Sequence, residues 1–195
     1  TDMDSPLGFA VGNALEVQEA ISFLQGNLDN RFSELCYQLA GFTLQSVNKA
    51  STIKEGNLMA KESVSSGRTY RKAVEWFSAQ GADIEKFVES LPGDPTRSEV
   101  IWQGNDGFVS QIRADKIGQA VVDLGGGRKK KGDAIDHSVG IVIKIEPSSK
   151  IVNGQSIATV HAKNSEETAI TAAIVNQAVS VQNSAFELNP ILELI

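Results

Sequence analysis

The chain has 195 residues, 41% hydrophobic and 22% charged, with 24 acids against 18 bases and a formal net charge of −6. That length gives one large domain or two small ones, with a core that needs no covalent staples. The acidic balance argues against nucleic acid or an anionic membrane as partner. A single cysteine, Cys36, excludes an internal disulfide and favours a reducing, cytoplasmic setting. No apolar run is long enough to cross a bilayer, and no signal peptide is expected. The first residue is Thr1, and TDMDSPLG reads as the end of a strand, so the start is expected to be a cut in a longer protein.

The first half predicts helices. In residues 13–24 Val17, Ala20, Ile21 and Leu24 make one apolar stripe, with Asn13 and Glu16 as a capping-box start and Gly26 as a stop. A second helix is expected from about Asn30 to Val47, with Phe32, Leu35, Cys36, Leu39 and Phe42 on one face. A third covers Thr52–Ser66 and ends at Gly67. A fourth covers Thr69–Gln80, and a short fifth carries Ile84, Phe87, Val88 and Leu91 up to Pro92. Pro92-Gly93-Asp94-Pro95 cannot continue a helix and marks the domain boundary, dividing the chain into 1–93 and 97–195.

Beyond it the pattern changes to short β-branched and aromatic runs. Strands are predicted at Glu99–Gln103 and Gly107–Ile112, joined as a hairpin by Gly104-Asn105-Asp106-Gly107. Asp115 is expected to cap a helix with Ile117, Ala120, Val121 and Leu124 inward, closed by Gly125-Gly126-Gly127. Strands follow at Val139–Ile145 and Ser156–His161. A last helix starts at Asn164 and Glu167, with Ala169, Ile170, Ala173, Ile174, Ala178 and Val181 inward, and Ile191–Ile195 fits an edge strand. The fold class is α+β: a helical part, then an α+β part with an antiparallel sheet.

Few residues carry chemistry. The loop from Ser5 to Asn13 is punctuated by Gly8 and Gly12, which let the backbone turn tightly and present carbonyls to one side. With Glu19 on the helix that follows, it is either a strand-to-helix turn or an oxygen-donor site for a hard cation. Gly125-Gly126-Gly127-Arg128-Lys129-Lys130-Lys131 lacks the Lys-Ser/Thr ending of a phosphate loop and reads as a solvated structural turn. His137 and His161 sit in no metal-ligand spacing. Cys36 falls in an apolar stripe, as a buried inert thiol does. Ser66-Gly67-Arg68 sits at a helix–helix junction that Gly67 explains.

Two long motifs, TDMDSPLGFAVGNALEVQEAI and GGGRKKKGDAIDHSVGI, together with Asp106-Gly107 and His161-Ala162, resemble the pyrimidine-nucleoside and thymidine phosphorylases. The resemblance runs through essentially the whole chain. It implies a glycosyltransferase that carries out reversible phosphorolysis, in which phosphate attacks the anomeric carbon of a pyrimidine nucleoside and the base departs. It also implies a cytoplasmic homodimer of longer chains, with residues 1–93 as the helical remainder of the phosphorylase α/β domain and 97–195 as its C-terminal α+β domain. The family's phosphate- and base-binding residues lie upstream of Thr1, so no catalytic or substrate-binding residue is assigned here and the 195-residue segment alone is expected to be inactive. One site reaches this chain: a potassium ion held by the carbonyls of Leu7 and Ala10 and the side chain of Glu19, with phosphate as co-substrate nearby. The remaining ligands come from the part of the protein outside these residues. The second half also resembles lipoyl-type carriers, but lacks the lysine between methionines at an exposed tip that a carrier needs. A stand-alone scaffold derived from the family is the alternative.

Overall fold

The computed structural model describes residues 2–89, 93 and 95–187. The chain forms two compact units. One is Val17–Leu91, and the other joins Thr1–Glu16 to Pro92–Ile195. The expected division at 93–97 therefore needs one correction, because the first sixteen residues belong with the second half. The cause is a two-residue strand, β1 (Ala10–Val11), which pairs antiparallel with β4 (Gly140–Ile143).

The helical unit contains the remainder of α1 (Asn13–Leu24), then α2 (Arg31–Ser46), α3 (Ile53–Ser65), α4 (Arg68–Ala79) and α5 (Ile84–Glu89). Local chemistry sets these ends. Asn30 and Ser33 exchange side-chain and backbone hydrogen bonds in a capping box, and the Thr52 hydroxyl accepts from the Glu55 amide. Gly67 takes the left-handed φ of 72° that lets α3 stop and α4 begin at once. α2 and α3 touch backbone to backbone at Gly41 and Gly56, where an added Cβ would lie 2.7 Å from a carbonyl oxygen of the other helix. The predicted faces hold in part. Ile21 and Leu35 are buried, while Val17 and Leu39 are exposed.

The sheet unit has two antiparallel sheets, one ordered β1-β4-β6-β2 and one β5-β3-β7. Its further strands are β2 (Thr96–Ile101), β3 (Gly107–Ile112), β5 (Lys150–Ile151), β6 (Ser156–Ala162) and β7 (Val179–Gln182). Its own helices are α6 (Ala114–Val121) and α7 (Ser165–Ala178). The α+β class is as expected, but the β2–β3 hairpin is not formed. β2 pairs with β6, and β3 pairs with β5 and β7. Trp102 is the reason. Its ring is buried, its Nε1 donates to the Asn105 carbonyl, and its backbone bonds to Gly154 and Gln155. The chain after Ile101 thus wraps over the indole and crosses between sheets.

α6 buries Ile117, Ala120 and Val121 as predicted and runs into a π-type turn, Val122–Gly126, that buries Leu124 and is kinked at Gly125 with φ 97°. Asp115 does not cap α6. Arg113 occupies that position, and its guanidinium pairs with Asp115. α7 is rotated from the expected face: Thr168, Thr171, Val175 and Ala178 are buried, while Ile170 is 58% exposed. The buried Thr168 hydroxyl is satisfied by the Ser165 carbonyl, so a threonine face can go inward. Val181 is in β7, not in the helix, because the β-branched run after Ala178 continues as a strand on β3. The core of this unit lies between the sheets and these helices, built on Val109, Ile117, Ile141, Ile157, Val160 and Val175. The expected strand at Ile191–Ile195 and the helix stop at Pro92 lie outside the described residues.

Candidate cation loop

The loop from Ser5 to Gly12 is built into the sheet unit. The Ile143 amide donates to the Phe9 carbonyl at 2.7 Å. Ala10 therefore faces Val142 as the non-hydrogen-bonded pair of an antiparallel ladder, and its carbonyl points away from β4. Val11 is the hydrogen-bonded position, with its carbonyl turned to the sheet. Further upstream, the Asp4 carbonyl accepts from the Ala114 amide at 3.0 Å. Leu7 lies between these anchors and is exposed. Leu7 and Ala10 thus share one short loop of the sheet unit. Glu19 is half-buried on α1, in the part that belongs to the helical unit.

Where the loop enters α1, two glycines allow a close approach. Gly12 has φ 143°, and a Cβ there would lie 2.7 Å from the Val139 carbonyl oxygen. A Cβ on Gly140 would lie 2.6 Å from the Val11 carbonyl oxygen. The helix start differs from the capping box expected at Asn13. Glu16 does reach back, but to the Gly12 amide, 2.9 Å from its Oε1. The Asn13 side chain turns instead to the glycine-rich turn and donates from Nδ2 to the Gly126 carbonyl at 2.7 Å. Sequence reasoning missed this contact, since the only local signal is an asparagine where a cap is expected.

The cationic run in that turn closes on itself. The Asp133 carboxylate accepts from the Lys129 and Lys130 amides, and Arg128 Nε donates to the Asp133 carbonyl. Lys129 pairs with Asp123 at 2.7 Å, and the hydrogen bond from that lysine holds the Asp123 carboxyl below its usual range. A cavity of about 440 Å³ borders the turn, lined by Gly125, Asp136, Ser138 and Lys163 among others. In it the Ser138 hydroxyl donates to Asp136 Oδ1 at 2.6 Å. That bond, with the Ser138 amide, keeps the Asp136 carboxyl low. The serine is thus committed to the carboxylate, and the exposed His137 is no base to it. His161 is buried in β6, where desolvation and nearby Arg97 push its pKa down and keep it neutral. Burial pushes the Cys36 thiol up, as suits an unreactive cysteine. Among the described residues no group of three or more His, Cys, Asp or Glu side chains comes together, and no helix is long and apolar enough to cross a membrane.

This geometry offers oxygen donors and hydrogen-bond scaffolding. Comparison with known proteins gives it a context. Residues 108–182, from the start of β3 to the end of β7, match the family described as pyrimidine nucleoside phosphorylase C-terminal domain. The chain thus carries a domain typical of nucleoside phosphorylases. A pyrimidine-nucleoside phosphorylase of Geobacillus stearothermophilus is 34% identical over 169 residues, covering 85% of this chain and 39% of the relative. A thymidine phosphorylase of Mesorhizobium japonicum is 37% identical over 185 residues, covering 93% of this chain and 42% of the relative. A pyrimidine-nucleoside phosphorylase of Staphylococcus epidermidis is 35% identical over 168 residues. The chain belongs to the pyrimidine-nucleoside and thymidine phosphorylase family, and it spans about two-fifths of the length of these relatives.

Proposed function

We propose that this chain is part of an enzyme that carries out reversible phosphorolysis of pyrimidine nucleosides, acting as a cytoplasmic homodimer. A phosphate oxygen attacks the anomeric carbon, the glycosidic C–N bond breaks, and the base leaves with the bonding electrons and takes up a proton. The observation that carries the reading is the 34–37% identity, along 85–93% of the chain, to proteins named for that activity.

Within that enzyme these residues act as support. The carbonyls of Leu7 and Ala10 and the carboxylate of Glu19 are an all-oxygen, hard donor set of the kind that holds an alkali or alkaline-earth cation. The outward direction of the Ala10 carbonyl fits such a role. A potassium ion held by these oxygens would supply a fixed positive charge. The glycine-rich turn and the sheet unit hold the loop in place.

The 195-residue chain alone is expected to release no thymine or uracil from thymidine or uridine in the presence of phosphate. The longer protein that contains it is expected to release base only when phosphate is supplied. Liquid chromatography of the free base checks both. Base release by the isolated chain overturns the supporting role, and a longer protein that needs no phosphate overturns the reaction.

A further inference from the structure

We propose that Asn13 is a positioning residue for the cation loop, its side-chain amide latching residues 7–12 to the glycine-rich turn so that the Leu7 and Ala10 carbonyls keep a fixed spacing. The inference rests on the ion reading above and adds a residue to it.

The loop is anchored at several points, and the Asn13 side chain supplies the one that reaches the glycine-rich turn. On the β4 side it is held by the Ile143–Phe9 bond and the β1–β4 pair. At its end the Ala14 amide donates to the His137 carbonyl at 3.3 Å, a long bond. The Asn13–Gly126 bond is shorter, at 2.7 Å, partly buried, and links residues 113 apart. The acceptor is itself braced. Gly125 breaks the π-type turn from within at φ 97°, and its carbonyl takes the Asp136 amide at 2.9 Å. The turn has no room to drift, since a Cβ on Gly126 would meet the Val121 side chain at 2.7 Å. Asn13 therefore ties the loop exit to a fixed point.

The latch matters because carbonyl ligands are held by backbone alone. A site of that kind discriminates among cations through the spacing of its oxygens, and that spacing is only as firm as the loop that carries it. Loss of the latch leaves the α1 start intact, because Glu16 still accepts from the Gly12 amide and β1 still pairs. What it frees is the pivot at Gly12. Outer-shell partners that orient metal ligands are worth about tenfold or more in metal affinity.

The test uses the longer phosphorylase and reads ion binding by stability, not by turnover. The unfolding midpoint is followed as potassium replaces sodium at constant ionic strength, since a bound ion raises it in proportion to occupancy. In Asn13→Ala and Asn13→Asp the potassium concentration for half of the effect is expected to rise about tenfold, while the midpoint in sodium alone moves little. Asn13→Ser is the second variant should either fail to fold. Hydrogen exchange on the 195-residue chain gives an independent readout: amides of residues 8–14 exchange faster in the variant and those of β6 do not. An unchanged potassium midpoint in the Asn13 variants, with Glu19→Gln raising it, overturns the latch and leaves the ion reading standing. A protein that potassium does not stabilise over sodium overturns the ion reading and this assignment with it.

Discussion

The two units bury their apolar residues to different depths. In the sheet unit Val109, Ile117, Val139, Ile141, Ile151, Ile157, Val160 and Val175 are wholly removed from solvent. In the helical unit Leu39, Val47, Leu58 and Trp76 remain 47–60% exposed. The helical unit also holds a cavity of about 840 Å³ walled by Phe23, Cys36, Tyr37, Leu44 and Val64. Paired strands present β-branched side chains to a second layer and pack them out of solvent, whereas α2, α3 and α4 line an apolar opening. Rigidity therefore belongs to the unit that carries the loop of Leu7 and Ala10, and the helices are expected to open first under denaturant.

The sharpest way to break that comparison is to hollow out the sheet core. Ile157→Ala removes buried methyl groups from a close-packed site and is expected to cost about 3–4 kcal/mol in urea unfolding of the 195-residue chain. Leu58→Ala in the exposed helical patch should stay within about 0.5 kcal/mol. Equal losses would mean that the two units share one core.

A smaller effect is expected from Gly140→Ala. The new methyl would meet the Val11 carbonyl at 2.6 Å, and a backbone oxygen cannot swing aside as a side chain does. A cost of about 2 kcal/mol follows from overpacking, with β1 detaching first, as hydrogen exchange at Val11 and Ile143 would report. A stable variant with β1 still protected would show the approach to be slack.

The smallest concerns Glu99 on the outer face of the sheet. Its carboxylate accepts from Lys144 at 2.5 Å and from Thr159 at 2.9 Å, and also from Ser156. These bonds, led by the one from Lys144, hold its pKa down at about 2. A depressed folded-state pKa stabilises above the unfolded value and loses that contribution as pH falls toward 2. Half exposed, the group is screened by salt, and Glu99→Gln should cost below about 1 kcal/mol at pH 7. The gap between the two proteins is expected to close between pH 5 and about 2, as thermal unfolding across that range would show. A gap independent of pH would assign the contribution to packing.

Much of the local structure was legible. α6 has one apolar face, so Ile117, Ala120, Val121 and Leu124 are buried as read. The bounds of β3 were also clear from its β-branched run. α7 was misread because alanine, isoleucine and threonine surround it on every side, and no face stands out by hydropathy. β1 and β5 have two residues each, too short for any period. The sheet partners were illegible for a different reason. A turn-like tetrapeptide says that the chain bends, but only Trp102 decides what it bends toward. At the candidate site, the glycines marked the loop and the family resemblance named Leu7, Ala10 and Glu19. The Asn13 latch could not be read, since a bond across 113 residues leaves no trace in local spacing.

The pairing of β1 with β4 has a consequence for how the protein is made. About 130 residues separate Ala10 from Val142, so β1 is synthesised well before the strand it pairs with exists. Closing a span of that length costs entropy that grows only with its logarithm, and the helices that form in the interval draw the two ends nearer. Such distant pairings delay assembly in any case. β1 is thus expected to be among the last strands of the sheet unit to dock, and with it the segment that presents the Leu7 and Ala10 carbonyls.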